Sequence, residues 1–361
     1  MRLLVLRFSA MGDVALLTPV LHSLIRRHAE LGITLVTRKA YEPFFYNIPG
    51  VEVIGVNTDT DYRGLRGLYR LYRELRALGP YTAGVDVHGS LRSRVIKFLF
   101  RLSGLKFSNI VKGRREKRAQ TRRKNKILHP LPHTAERYMA AFSRVGADAP
   151  FSPGPWINPD TRSRALAYRY LSARGLAKKT NFWIGIAPFA GHRQKMWPLE
   201  YMHELLEMIR REMDATLFLF GGGEKEIALL EELKTKNPNA HVLAGSLSLE
   251  GELAFIPRLD VMLAMDSLNM HLAALLGTPV LSIWGPTHPY SGFGPYGQEE
   301  ESVIQIPGAE LPCRPCSIFG KKPCYRGDLA CMNRITPRLV FERLSARLYR
   351  ADQSDNQPQT D

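Results

Sequence analysis

Short apolar runs alternate with stretches of helical spacing along most of the chain, and the alternation occurs twice. Residues 3–8 are apolar but for Arg7, residues 9–13 read as a loop, and residues 14–28 carry apolar side chains at helical spacing. Further strands are predicted over residues 33–36, 51–56 and 83–87, with a basic helix over residues 66–77. Strand and helix in regular succession imply crossover connections, which make neighbouring strands parallel. A second series follows a proline-rich connection (Pro150, Pro153, Pro155, Pro159) and a helix ending before Lys178-Lys179. It has strands over residues 183–187, 216–220, 261–265 and 280–284 and helices over 199–211 and 225–234. At 361 residues the chain exceeds what one core usually supports. The expectation is an α/β protein of two doubly wound, Rossmann-like domains with a cleft between them. Residues 1–160 form the first domain, 161–180 a linker region and 181–336 the second domain. A last helix over 337–350 and a polar, disordered tail over 351–361 complete the expected layout.

Composition narrows the partners. No apolar run approaches the ~18 residues of a membrane span. Leu3-Leu4-Val5-Leu6 is cut by Arg7 and lacks the basic flank and cleavage site of a secretory signal, so a cytoplasmic location is expected. Fifty Lys and Arg against 34 Asp and Glu leave a net charge of +16. That implies a polyanionic partner: nucleic acid, an anionic membrane face or a phosphorylated glycolipid. The densest basic stretch, residues 112–126, holds nine Lys or Arg and one acid. Lys112, Arg114, Arg115, Arg122, Arg123 and Lys124 are among its cations. It lacks the interleaved aromatic rings on which single-stranded nucleic acid stacks. A flexible cationic loop gripping phosphates on a lipid or at a membrane surface fits it better, and no nucleic-acid partner is expected. The contrasting reading is a basic RNA-binding protein with an inactive Rossmann pair.

The segment richest in chemistry is Asp266-Ser267-Leu268-Asn269-Met270-His271, running on to Gly277-Thr278-Pro279 and Gly285-Pro286-Thr287. An acid, a hydroxyl and an imidazole lie between an apolar strand and a small-residue helix, which is how an α/β protein builds an anion site at a strand's carboxyl end. A phosphorylated ligand is predicted there. Gly221-Gly222-Gly223-Glu224 permits a tight turn with N–H groups open to phosphate, with Glu224 available for ribose hydroxyls. Neither G-x-G-x-x-G nor G-x-x-x-x-G-K-[ST] occurs, which argues against a nicotinamide enzyme and a P-loop NTPase. Lys195, in the loop after the strand ending at Ala187, offers a cation to a leaving diphosphate without metal; solvation is the bland alternative. Asp13 follows Gly12 between the first strand and the first helix. Such a carboxylate caps the helix, or acts as a general base where Gly12 lets an acceptor approach the backbone; the two roles are compatible. Asp59-Thr60-Asp61 copies the D-x-D of metal-dependent sugar transferases, but it lies in a polar segment away from the phosphate-type loops and reads as a solvated turn. Cys313, Cys316, Cys324 and Cys331 make one C-x-x-C pair with two wider gaps, so packed free thiols are expected ahead of a structural zinc.

Together these residues resemble the bacterial ADP-heptose:lipopolysaccharide heptosyltransferase family. The match is carried by residues 6–13 with Thr18-Pro19, by Lys195-Met196-Trp197-Pro198, by Gly221-Gly222-Gly223-Glu224, and by the Asp266 to Thr287 motifs. The resemblance implies a GT-B fold and an inverting transfer that uses no metal or other cofactor. It implies Asp13 as the base, Lys195 at the diphosphate or sugar, Gly222 and Gly223 in the donor site, Glu224 at the ribose, and Leu247 against the adenine. Asp266 and Ser267 would hold donor sugar and phosphate beside His271. The second domain would hold the nucleotide sugar. The first, with Ser9, Gly12 and the basic run, would hold an anionic acceptor, lipid A bearing Kdo or core oligosaccharide. A monomer, peripheral on the inner face of the cytoplasmic membrane, is expected. The chain departs from the family at Phe189, Leu268 and His288, around the donor motifs, which leaves other nucleotide sugars and other surface glycans open.

Overall fold

The computed structural model describes residues 1–355. Two compact units emerge, Met1–Gly113 with Pro132–Pro159, and Arg114–Leu131 with the chain from Asp160 onward.

In the first unit, β1 (Arg2–Leu6), β2 (Gly32–Arg38), β3 (Val51–Val56), β4 (Ala83–Asp86) and β5 (Phe107–Asn109) make one parallel sheet in the order β3-β2-β1-β4-β5. β1 is central, and Leu3 to Leu6 are all buried, as a strand covered by helices on both faces requires. The helix predicted over residues 14–28 is two helices, α1 (Met11–Ala15) and α2 (Thr18–Arg27). Pro19 has no N–H to donate, so it suits the first turn of α2 and not a helix interior. In α3 (Gly64–Ala77), Leu68, Leu71, Tyr72 and Leu75 recur at helical spacing and pack with Leu4 and Leu6. α4 (Leu91–Leu102) opens on reciprocal hydrogen bonds between Ser90 and Ser93 and buries Ile96 and Phe100 in the same cluster. After α5 (Arg114–Gln120), which belongs to the second unit, α6 (Thr134–Ser143) completes the first.

The second unit opens with α7 (Thr161–Ser172), which packs on α10 (Leu249–Phe255). Its strands are β6 (Phe182–Ala187), β7 (Ala215–Leu219), β8 (Ala240–Val242), β9 (Val261–Met265), β10 (Val280–Trp284) and β11 (Val303–Gln305). They form a parallel sheet in the order β11-β10-β9-β6-β7-β8. The remaining helices are α8 (Leu199–Glu212), α9 (Gly223–Thr235), α11 (Leu268–Leu275), α12 (Ala330–Asn333) and α13 (Pro337–Asp355).

Three expectations change. Residues 161–180, expected as a linker region containing a helix, belong to the second unit, where that helix, α7, buries Ala167 and Leu171. The basic run, expected in the first domain as a flexible loop, forms α5 and a following strap that pack with the second unit from Arg114 on. The last helix continues to Asp355, through the first residues of the expected tail; residues 356–361 lie outside the described residues.

Each sheet contains a point where successive strands are laid down in opposite directions: between β1 and β4 in the first unit, and between β6 and β9 in the second. At such a point the loops leaving two adjacent strands diverge, and the carboxyl ends frame a crevice for ligand.

Candidate active site

In the second unit, the loop after β6 carries Lys195 and the turn after β9 carries Asp266. Lys195 Nζ lies 2.9 Å from Asp266 Oδ2, with both side chains largely shielded from solvent. The loop after the next strand, β10, supplies Thr287, whose hydroxyl donates to the same Asp266 oxygen at 2.7 Å. Trp197 holds the Lys195 loop down, donating its ring N–H to the Ile335 carbonyl at 2.9 Å. Three strands therefore converge on one carboxylate.

Ser267 is the N-cap residue of α11, yet its hydroxyl makes no capping bond. Ser267 Oγ is buried and has no hydrogen-bond partner. A buried hydroxyl left unpaired costs ~1–3 kcal/mol, a cost that a ligand oxygen would remove. The N-terminus of α11 adds free backbone N–H groups and the positive end of the helix dipole. His271 is buried one turn further along the same helix face. Gly222 and Gly223 form the turn into α9, Gly223 in the left-handed region at φ +77°. Gly222 N–H is taken by Glu226 Oε2 at 2.8 Å, and Glu224 is exposed in the first turn. Leu247 is half-buried in the turn before α10.

His288 is buried, and its ring accepts from Tyr290 N–H at 3.1 Å. Burial, reinforced by the nearby Arg314 and Lys126 charges, lowers its pKa to about 4. Arg314, inside the C-x-x-C, is itself buried. It donates to the carbonyls of Trp284, Gly285, Ile306 and Thr287 and to Gln305 Oε1, knitting together the loop after β10.

In the first unit the loop after β1 carries Arg7, Ser9 and Asp13. Asp13 stands in the first turn of α1 and makes no side-chain cap. Its carboxylate instead meets the buried Arg7 guanidinium at 2.6 Å, which also donates to the Val87 carbonyl at 2.6 Å and lies over the Tyr138 ring. Tyr138, buried with its phenol pKa pushed up by desolvation, donates to the Asp13 backbone carbonyl at 3.0 Å. Asp13 keeps part of its carboxylate open to solvent. Gly12 is half-buried beside it. Ser9 Oγ lies 3.2 Å from Nε2 of His88, which follows β4 across the switch point. Burial, then the Arg7 charge, lowers the His88 pKa to about 4, so the ring is neutral at physiological pH. His88 and Arg314 were not singled out by sequence reasoning, while Arg7 and Thr287 stood within the motifs without a role of their own. Arg7 left one signal, as the lone charge in an otherwise apolar run.

The basic run is divided. Lys112 stays with the first unit, its ammonium 3.5 Å from the Gly89 carbonyl. Arg114 and Arg115 are exposed on α5, and Arg122, Arg123 and Lys124 are exposed in the strap that follows. That strap is anchored to the second unit at several points. Buried Gln120 bonds the His129 and Tyr290 carbonyls and Ser291 Oγ, while Lys126 donates to the carbonyls of Pro312, Cys313 and Pro315. Arg123 lies 4.4 Å from the Tyr325 ring centroid.

Cys313, Cys316, Cys324 and Cys331 are free thiols around a cavity of about 10 Å³, room for at most a water. Burial raises the Cys316 pKa and pushes Cys331 up to about 12, which keeps them protonated. Among the described residues no group of three or more His, Cys, Asp or Glu is arranged to hold a metal ion. Asp59-Thr60-Asp61 forms an exposed turn in which Asp59 pairs with Arg38 and Arg92.

Known proteins resemble this chain in sequence and fold. Residues 68–319, more than half of the chain, match the model of glycosyltransferase family 9 (heptosyltransferase). The lipopolysaccharide core heptosyltransferase OpsX of Haemophilus influenzae is 22% identical over 328 residues, 86% of this chain and 89% of the relative. A family 9 glycosyl transferase from Veillonella parvula superposes with a TM-score of 0.75 at 20% identity, covering 97% of each chain. The ADP-heptose LPS heptosyltransferase II of E. coli superposes with a TM-score of 0.68 at 20% identity, covering 98% of this chain and 100% of the other. The fold is the GT-B type, with a parallel sheet in each unit. The extent of the family match decides the assignment: this chain belongs to glycosyltransferase family 9, the heptosyltransferase family.

Proposed function

We propose that this chain transfers heptose from ADP-heptose, with inversion and without metal, to an anionic acceptor of the lipopolysaccharide inner core, lipid A bearing Kdo in type. The observation that carries the donor half is the buried, unpaired Ser267 hydroxyl at the N-terminus of α11, beside the Lys195–Asp266–Thr287 cluster. A diphosphate placed there meets a hydroxyl, free N–H groups and a lysine ammonium, the charge stabilisation a departing ADP needs. Glu224 takes the ribose, the turn at Gly222 and Gly223 lies against the donor, Leu247 packs on the adenine, and His271 lines the sugar side.

Asp13 is the base. It removes the proton of the acceptor hydroxyl as that oxygen attacks the anomeric carbon, and the bond to the diphosphate breaks with its electron pair leaving on ADP. Arg7 aims the carboxylate without covering it. Ser9, Gly12 and Lys112 serve the acceptor from the first unit, and Arg114, Arg115, Arg122, Arg123 and Lys124 pair with its phosphates and carboxylates. The relatives named above, an LPS core heptosyltransferase and an ADP-heptose enzyme, support this choice of donor and acceptor. The enzyme works as a monomer, peripheral on the inner membrane face.

The test is ADP release and product mass when purified protein meets ADP-heptose with and without Kdo-bearing lipid A. Acceptor-dependent ADP and a mass gain of one heptose are expected, at a rate that a chelator leaves unchanged. Absence of transfer by folded protein contradicts the donor–acceptor assignment, and a rate lost to chelator and restored by a divalent cation contradicts metal independence.

A further inference from the structure

We propose that the outer faces of α3 and α4 dock this chain on an anionic phospholipid bilayer. The two helices lie side by side and turn their inner faces into one core cluster, α3 through Leu68, Leu71 and Leu75 and α4 through Ile96 and Phe100. Their opposite faces mix charged with large apolar side chains. Leu65 and Tyr69, one turn apart on α3, are 73% and 53% exposed; Leu91, Phe98 and Leu102, spaced to share one side of α4, are 77%, 60% and 70% exposed. Single exposed apolar side chains are ordinary, but five large ones on two adjacent helices make a patch that calls for an occupant.

The charge around the patch selects it. α3 carries four arginines and α4 three arginines and a lysine, against Glu74 as the sole acid of the two helices, a net +7. Arg66, Arg73 and Arg94 are exposed among the apolar side chains. A second copy of the chain on this face would set +7 against +7. Nucleic acid would satisfy the arginines and leave the leucines in water. A bilayer surface with anionic lipid answers both, since leucine and aromatic side chains enter the boundary of headgroups and acyl chains while arginines extend to phosphates. Among the described residues no helix is long and apolar enough to cross a membrane, so the fit is to a surface.

This surface deepens the proposed peripheral association, and its test reads vesicle binding without turnover, so a failure of heptosyl transfer leaves it standing. Full-length protein is sedimented with vesicles of phosphatidylethanolamine and phosphatidylglycerol, and with phosphatidylcholine alone. Binding to the anionic vesicles is expected, and Leu91→Ser with Phe98→Ser should lower it about tenfold or more. ADP affinity and melting temperature should be unchanged. Arg66→Gln, Arg73→Gln and Arg94→Gln combined should lower it comparably. Hydrogen exchange of the unaltered chain should show vesicle-induced protection at residues 64–77 and 91–102. Equal binding to neutral vesicles, undiminished binding by both variants, protection confined to residues 114–126, or a dimer that the Leu91 and Phe98 changes dissociate would each overturn the proposal.

Discussion

Arg7 interrupts a strand that is otherwise buried on both faces, and a charge in that position has to be satisfied by groups that the sequence holds far away. It finds the Val87 carbonyl, the Tyr138 ring and the Asp13 carboxylate. The first two, from positions 80 and 131 residues on, fix the guanidinium, and the guanidinium fixes the carboxylate. His88 and His288 follow the same logic with the opposite outcome, because burial beside positive charge keeps each ring neutral. Folded, each titrates at about 4; unfolded, at 6.5. Between those values the unfolded chain binds the extra proton, so each contributes stability that is complete above pH 6.5 and is lost as pH falls toward 4. The imidazole NMR shifts of His88 and His288 should therefore stay flat from pH 8 down to about pH 5. A midpoint near 6.5 for either contradicts the neutral ring. Asp13, Lys195, Asp266 and Ser267 could be picked out as candidates in the sequence because each lies in a loop that follows an apolar run, Asp266 directly after it and Asp13 and Lys195 several residues on. The partners His88 and Arg314 were not, and Arg7 and Thr287 stood in the motifs without a role, since these contacts arise only once each sheet has formed.

Elements show the same division between local pattern and assembly. Strands long enough to be patterned were readable: β3, β9 and β10 match their predicted spans. β5, β8 and β11 were missed because each is three residues at a sheet edge, too short for any periodicity. The basic run misled for a related reason. Its charge density suggested a loose loop, whereas Gln120 and Lys126 tie it to carbonyls that only the folded second unit presents. Beyond the C-x-x-C, the same region bears on Lys195. A Cβ at Gly320, where φ is +73°, would lie 2.5 Å from Lys195 Cγ. Gly320→Ala should displace Lys195 from Asp266 and weaken ADP-heptose binding about tenfold, the scale of one charged hydrogen bond. Gly327 shares the positive φ, at +82°, but faces open space, so Gly327→Ala carries the backbone strain alone. Titration calorimetry of the two variants separates the causes; equal affinity in both contradicts a role for the Gly320 contact.

On the scale of the whole molecule, each sheet has its own switch point, and each switch point gathers its own cluster of polar side chains. The first gathers Arg7, Ser9, Asp13 and His88. The second gathers Lys195, Asp266 and Thr287, with the unpaired Ser267 hydroxyl beside them. The fold class and the succession of elements were written in the alternation of apolar and amphipathic runs. The passage of residues 114–131 to the second unit was not, because it depends on which surface accepts the strap. If the base belongs to the first unit and the nucleotide to the second, the two functions separate by mutation. The decisive measurement is the turnover of Asp13→Asn set beside its affinity for ADP-heptose. The account predicts a fall in kcat of about 100-fold or more with donor Kd held within about twofold. Turnover close to that of the unaltered enzyme, or a loss of donor affinity that accounts for the lost rate, would contradict it.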